Sequence, residues 1–396
     1  MLDTIKRIVA FGSRLPGSDA DRQTTDFIAG ELQAYGRPAD LEEIRVRPAW
    51  QLTHALHAAL AAGGTLISST VSEPLGMLLL LLVAVSTYGD LTARFYIARF
   101  LMPRRLTRNV TSAQPRPSSG ARVILTANHD APRSGLLWVR RRRAGQPRRR
   151  RRRLLASLAG PLDIFFWTVM AALVAALASL GLGESDPLTV VQFVLAAVLL
   201  TYVMLFFDAA ISDVSPGAST NASGVAALLE VGRRLQERAP QGIETWLVFP
   251  AAKEGLALGM RAWLKEHGDE IDPRDTFFVN VDTVGHGDVH HVTADGYALV
   301  FRSDQRLVQL CKGLGSRPHV WRIGTDATQA AMAGFPSITV CCLDAHGRLP
   351  EFHRTTDTPV RVDAGAVERA TDFVENIVRR IDDLYAPREA EDAERA

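Results

Sequence analysis

The apolar positions of the chain follow two patterns with sharp boundaries between them. Ile164 to Gly183 contains no charged residue across twenty positions, and Pro187 to Phe207 contains none across twenty-one. The short turn Glu184 to Asp186 separates them. Each run is long enough to cross a bilayer, which takes about 20 residues at 1.5 Å of helical rise per residue. Buried helices of a soluble core usually carry a polar position every turn or two, so spanning is the expectation for this hairpin. An earlier pair is weaker: Leu52 to Val71 includes His54, His57, Gly63 and Gly64, and Leu75 to Gly89 is strongly apolar but short. It is read as a second spanning hairpin, with a re-entrant or interfacial hairpin as the alternative.

Between these runs the pattern is that of a soluble α/β domain. Val123 to Thr126 is a short apolar run that ends in the polar cluster Asn128 to Arg133, as a buried strand does before a loop. Thr245 to Phe249, Phe277 to Val281 and Ser337 to Leu343 read as further buried strands. Asn221 to Glu237 opens with Asn and Ser and repeats apolar residues at helical spacing; Leu256 to His267 and Asp363 to Leu384 are also predicted as helices. The expected organisation is a domain in pieces, with residues 1–50, 94–159 and 212–390 forming it and hairpins at 51–93 and 160–211 inserted. Residues 391–396 are expected to form a flexible tail.

Charge adds an orientation. The net charge of +2 conceals ten arginines between Arg140 and Arg153. The hairpin tips, Ser72 to Pro74 and Glu184 to Asp186, carry no Lys or Arg, whereas the opposite ends carry Arg45, Arg47, Arg94, Arg99, Arg104, Arg105 and the arginine run. Basic residues beside spans stay on the cytoplasmic side, so the soluble parts are expected there, attached to the cytoplasmic membrane by a multi-pass anchor. The run Arg140 to Arg153 lacks interleaved aromatics apart from Trp138, which points to anionic lipid headgroups and not to nucleic acid. A transporter or channel is disfavoured, because the apolar runs lack the charges that mark a pathway. Three cysteines, Cys311, Cys341 and Cys342, make no disulfide framework and suit a reducing compartment. Met1 to Gly12 is short and mixed, so no cleaved leader is expected.

In open α/β sheets, sites form where strands end at their carboxyl side. That rule singles out Asn128 to Asp130, Lys253 with Glu254, Asp282 and the loop holding His353. His286, His290, His291, His319 and His346 are scattered, and surface placement is expected for them.

With these positions marked, the chain resembles the M28 family of co-catalytic zinc aminopeptidases over nearly its whole soluble length. Arg14 to Ser18 is similar to the family's entry segment. Ile124 to Asp130 resembles the strand that ends in His, any residue, then Asp; Asn128 stands at the ligand position, His129 at the variable one and Asp130 at the orienting Asp. Thr220 to Val225 is similar to Asp-Asn-Ala-Ser-Gly-Val, whose Asp bridges two metals, but here Thr220 replaces it. Ala252, Lys253 and Glu254 resemble Ala-Glu-Glu, so Lys253 stands where the general base would be and Glu254 keeps a ligand position. Asn280 to Asp282 resembles a ligand-bearing Asn-x-Asp. Thr325 to Ala327 is similar to Ser-Asp-His, with Ala327 in place of His. Phe352 and His353 with Asp357 and Thr358 resemble the element that supplies the last ligand. The fold this implies is a mostly parallel mixed sheet flanked by helices, with the transmembrane hairpins inserted.

The same resemblance implies damaged chemistry. A shared carboxylate holds two zinc ions together so that a bridging water is ionised at neutral pH. Thr220 is a neutral, poor zinc ligand, Asn128 is a weaker donor than imidazole, and an ammonium at Lys253 neither accepts a proton nor tolerates a cation beside it. The residual ligands are Glu254, Asp282 and His353, with His129 as a substitute. A site without metal, its Lys253 salt-bridged to Glu254, Asp282 or Asp130, is the favoured expectation, and one weakly held zinc is the alternative. The function expected is that of a catalytically impaired pseudoenzyme in the membrane. The alternative is an active single-zinc hydrolase or aminopeptidase acting on a peptide or small amide.

Overall fold

A computed structural model describes residues 1–114, 120–138, 160–182 and 185–386. The Arg140 to Arg153 run, Glu184 in the hairpin tip and the 391–396 tail therefore lie outside the described residues.

The four continuous apolar runs become the middle of a sheet. β3 (Ala121–Thr126), β4 (Ile243–Phe249), β5 (Thr276–Val281) and β9 (Ser337–Leu343) pair in the order β4-β3-β5-β9, all parallel. Their residues are buried on both faces, which is why they read as unbroken apolar stretches and not as alternating ones. Side chains alternate between two cores. Val123, Leu125, Leu247, Phe249, Val279 and Ile338 face a layer built from α1 (Leu2–Ala10), α2 (Asp19–Ala34), α7 (Ser223–Glu237), α9 (Gln305–Gly313) and α11 (Ala364–Tyr385). Ile124, Trp246, Val248 and Phe278 face α8 (Leu258–His267) and α10 (Asp326–Met332).

The flanks are antiparallel. β1 (Asp40–Val46) pairs with β2 (Arg105–Ser112), which pairs with β4 on one side. On the other side β6 (Asp288–Asp295) pairs antiparallel with β9 and β7 (Phe301–Arg302), and parallel with β8 (Arg317–Val320). The sheet is thus parallel through its four central strands and mixed at its edges, where β6 pairs antiparallel with β9 and β7 but parallel with β8. His290 and His291 correct an expectation: both lie in β6 and are buried, and His291 Nδ1 lies 2.7 Å from Ser316 Oγ.

Among the described residues four helices are inserted into this domain: α3 (Trp50–Thr70), α4 (Glu73–Leu91), α5 (Pro161–Leu182) and α6 (Asp186–Ile211). They share their own apolar core, which includes Ala58, Leu80, Phe165, Leu199 and Phe206. α4, α5 and α6 are long and apolar enough to cross a membrane. α3, with its two histidines, lies largely inside the group, against α4 and α6. Close packing of α3 on α4 requires Gly64 and Gly76, since a Cβ on Gly76 would run into the α3 backbone at Ser68.

The two histidines noted in the first apolar segment are joined to charged groups at one end of the bundle. His57 Nε2 lies 2.7 Å from Ser86 Oγ, the facing Nδ1 atoms of His54 and His57 are 3.1 Å apart, and His54 Nε2 lies 3.2 Å from Asp90 Oδ2. Arg99 closes the chain by donating from Nε and Nη2 to the two Asp90 oxygens at 2.6 and 2.9 Å. All of these side chains are buried at the end of the bundle nearest the sheet. Each group takes its charge partner from the loops or helices beside it, so the sequence pattern of any one helix cannot reveal the arrangement.

Candidate functional site

The carboxyl ends of β3, β4, β5 and β9 deliver the expected residues to one place. Asn128, His129 and Asp130 follow β3; Lys253 and Glu254 follow β4; Asp282 follows β5 directly; His353 lies in the loop after β9. The loop after β4 is locally strained, because Ala252, Leu256 and Ala257 have φ of +52°, +72° and +55°. Left-handed backbone costs a residue with a Cβ about 1–2 kcal/mol. Two ties hold the loop. The Asp130 carboxylate accepts from Lys253 N at 3.1 Å and Glu254 N at 3.0 Å, and Arg99 Nη1 donates to Gly255 O at 2.8 Å. The predicted helix at Leu256 consequently starts two residues later, at Leu258.

Lys253 occupies the centre of the group. Its Nζ lies 3.1 Å from Glu254 Oε1 and 3.2 Å from Asp282 Oδ2, with 5% of its side chain exposed. Burial alone would lower the ammonium, but Asp282 and Glu254 outweigh it and hold Lys253 well above its ordinary value. It is a permanent cation. Glu254 Oε2 is 3.3 Å from His353 Nε2, and Asp282 Oδ1 accepts from Thr283 Oγ1 at 2.7 Å. Burial and the nearby Lys253 charge keep the His353 imidazole neutral, well below its usual range. His353 itself adopts φ of +56° and packs between Trp138 and Phe352, with ring centroids 4.4 and 4.0 Å away.

The other substituted positions also act as hydrogen-bond donors to carboxylates. Asn128 Nδ2 donates to Asp130 Oδ1 at 3.2 Å, and Thr220 Oγ1 donates to Asp357 Oδ2 at 2.8 Å. Asp357 further accepts from the Ser219 and Thr220 amides at 2.7 and 3.1 Å. Burial pushes Asp130 up to about 6, with Glu254 adding to the effect, and burial likewise pushes Asp357 up to about 6. Ala327 is buried at the start of α10 and offers only its carbonyl, which accepts from Ser337 Oγ at 2.8 Å.

His129 is not brought to the group. Its Nε2 lies 3.1 Å from Asp21 Oδ1 on α2, an oxygen pair also held by Thr107 Oγ1 and Gly17 N. Burial raises the Asp21 carboxyl, yet these donors outweigh it and keep it below the usual range. Successive residues after a strand point to opposite sides, so with Asn128 and Asp130 on the site, His129 is turned to α2. The substitute-ligand role is thereby lost.

Two site residues escaped the sequence reading. Asp326, the first residue of α10, is 1% exposed, and neither carboxylate oxygen has a hydrogen-bond partner among the described residues. Burial pushes it well above the carboxylate range, with the nearby Lys253 charge opposing and Asp282 adding to the effect. Tyr297, from the β6–β7 connection, is half-buried near Lys253 and donates to Ile323 O. Asp326 stood in a recognised fragment but at a position with no ligand role; Tyr297 carried no signal at all. Asn221, expected to cap a helix, instead links Arg14 to the Asp130 carbonyl, and a π-turn over Ala218–Ala222 precedes α7.

Two zinc ions do not fit these residues. The ammonium of Lys253 sits between the two carboxylates that would face the metals, Asn128 Nδ2 and the Thr220 hydroxyl are engaged as donors to Asp130 and Asp357, and the Asn128 amide oxygen is a weaker zinc donor than imidazole. Among the described residues no group of three or more His, Cys, Asp or Glu side chains is arranged to hold a metal ion.

Solved zinc peptidases share this parallel-centred sheet between helix layers. A zinc aminopeptidase from Bacillus subtilis matches at a TM-score of 0.55 and 12% identity, covering 98% of this chain and 95% of its own. A Zn-dependent exopeptidase from Parabacteroides distasonis matches at 0.51 and 16%, over 95% and 96%. A glutaminyl cyclase from Bacteroides thetaiotaomicron, bound to N-acetylhistamine, matches at 0.52 and 15%, over 95% of both chains. Residues 202–378 match the family model for Peptidase family M28. Over residues 202–378 the chain is thus similar to the M28 peptidases, and over nearly its whole length it shares the fold of solved zinc peptidases. No curated protein matches it.

Proposed function

We propose that this is an integral membrane M28 peptidase-like protein whose pocket is held together by a lysine in the place of metal cations and does not run two-zinc peptide hydrolysis. The observation that carries the reading is the Lys253 ammonium at 3.1 Å from Glu254 and 3.2 Å from Asp282. A protonated amine at the base position cannot take a proton from water, and it excludes a dication from the same space. Donation from Asn128 and Thr220 to Asp130 and Asp357 supports it, since these two altered positions satisfy buried carboxylates without metal. The protein then serves binding or scaffolding at the membrane, with a peptide or small amide as the class of ligand for the cleft.

The helices α4, α5 and α6 supply the anchor, and α3 completes the bundle. The arginines at the domain end of the bundle support a cytoplasmic placement of the sheet. Anionic headgroups are the partner proposed for Arg140 to Arg153.

A second reading, a single-zinc hydrolase, draws on Glu254 and His353 lying 3.3 Å apart. Metal analysis of the purified protein, with assay against aminoacyl amides, separates the two. One stoichiometric zinc with metal-dependent turnover would overturn the first reading. Combining Lys253→Glu, Thr220→Asp and Asn128→His should create zinc binding; no binding after all three would refute the assignment of the site.

A further inference from the structure

The segment that leaves α4 has an apolar outer face that no described residue of the soluble domain covers. Phe95, Ile97, Phe100 and Leu101 are 39%, 54%, 62% and 74% exposed. Single exposed apolar residues need no explanation, but four within seven positions form a patch. Exposed Arg94, Arg104 and Arg105 flank it.

The segment is held firmly, so the exposure is not a frayed loop. Ala93, at φ of +54°, ends α4, and Arg94 N bonds Gly89 O at 3.0 Å, which turns the chain off the helix axis. The inner face is then pinned: Arg47 Nη1 donates to Phe100 O at 2.6 Å, Arg261 Nη2 donates to Arg94 O at 3.2 Å, and Ala98 N donates to Ser86 Oγ at 3.3 Å. Arg99, alone among the segment's arginines, turns inward to Asp90 and Gly255. The outward side chains continue the exposed apolar face of α4, which carries Leu75, Leu78, Leu82 and Val85.

We propose that Arg94 to Arg105 is a lipid-contact segment that lies in the headgroup layer of an anionic bilayer. Its four apolar side chains reach the acyl boundary, while Arg94, Arg104 and Arg105 meet phosphates, the arrangement of an interfacial anchor. This rests on the membrane reading above. A bilayer is favoured over a protein partner because the patch is continuous with a span-length apolar helix and is bordered by arginines, not by a mixed polar rim. The inner face of the same segment ties down the Lys253 loop through Arg99, so contact with lipid also fixes the floor of the pocket.

Spin labels on the full-length protein in phosphatidylcholine–phosphatidylglycerol nanodiscs test this. Cysteines are placed one at a time at Leu101, at Val194 in α6 and at Val360, 95% exposed on the soluble domain. The native Cys311, Cys341 and Cys342 are buried and out of reach of the label. Power saturation with oxygen and with a water-soluble nickel chelate reads depth. The expected result is a lipid-like label at Val194, an interfacial one at Leu101 and an aqueous one at Val360. A lipid-like Val194 with an aqueous Leu101 overturns this inference alone. Shielding of Leu101 from both relaxants means a protein contact and overturns it as well. An aqueous Val194 label refutes the membrane reading itself. If the Leu101 variant does not fold, Phe100→Trp replaces it: brominated lipids should quench the added fluorescence, and no added quenching relative to wild type refutes the proposal.

Discussion

Replacing Lys253 by methionine removes one charge and little volume, and the structure says what should follow. The side chain is 5% exposed and contacts two carboxylates at 3.1 and 3.2 Å. At an effective dielectric constant near 20, each contact is worth about 5 kcal/mol before the cost of desolvation. Losing one partner of a buried pair costs about 3–5 kcal/mol, because the remaining charge is left uncompensated. Methionine fills the space, so a cavity adds little. The variant should therefore lose about 3–5 kcal/mol near neutral pH, and the loss should shrink in acid as the Asp282 carboxyl, raised by burial, takes up a proton. Urea melts of the full-length protein in nanodiscs measure this. Zinc sharpens the test: with the ammonium gone, Glu254, Asp282 and His353 face no competing cation. Zinc at about 100 times its dissociation constant should then return about 2.7 kcal/mol to the variant and nothing to wild type. Equal stability of the two proteins, or equal stabilisation of both by zinc, would refute the view that Lys253 stands in for metal.

Arg99→Gln should strand Asp90 and release Gly255 O, freeing the strained turn at Ala252, Leu256 and Ala257. A loss of about 3–5 kcal/mol is expected, with faster amide exchange over 252–258 while β3 and β5 stay protected; unchanged exchange there would show that Arg99 does not hold the loop. Asp357 gives a pH test, since burial lifts its folded value to about 6 from 3.8. The native state holds this proton more tightly than the unfolded one, so the carboxyl favours the fold in acid and increasingly opposes it as pH rises from about 4 to 6. Asp357→Asn cannot titrate. The stability of wild type minus that of the variant should fall across this window by at most about 3 kcal/mol, and a constant difference in urea melts would contradict the assigned burial.

The sequence by itself determined the central strands, the apolar helices and the ordered fragments of the site. β3, β4, β5 and β9 were legible because strands buried on both faces leave unbroken apolar runs, and the helices α5 and α6 because twenty residues without charge leave few alternatives; α4, with a shorter apolar run, was the weaker reading. The flanking strands β1, β2 and β6 to β8 were not, because mixed burial gives them no clean period. Glu254, Asp282, His353 and Lys253 were found from their places after strands and from their fragments. Tertiary structure alone decided how they meet. That Lys253 bridges both carboxylates depends on three left-handed residues that no propensity predicts, held by Asp130 and by Arg99 from 154 positions earlier than Lys253. The turning of His129 to Asp21, the pairing of Thr220 with Asp357 and the unpartnered Asp326 carboxyl have the same origin. A residue's chemistry is written in its side chain, but its charge state and partners are set by what the fold packs against it, and those neighbours are distant in the chain.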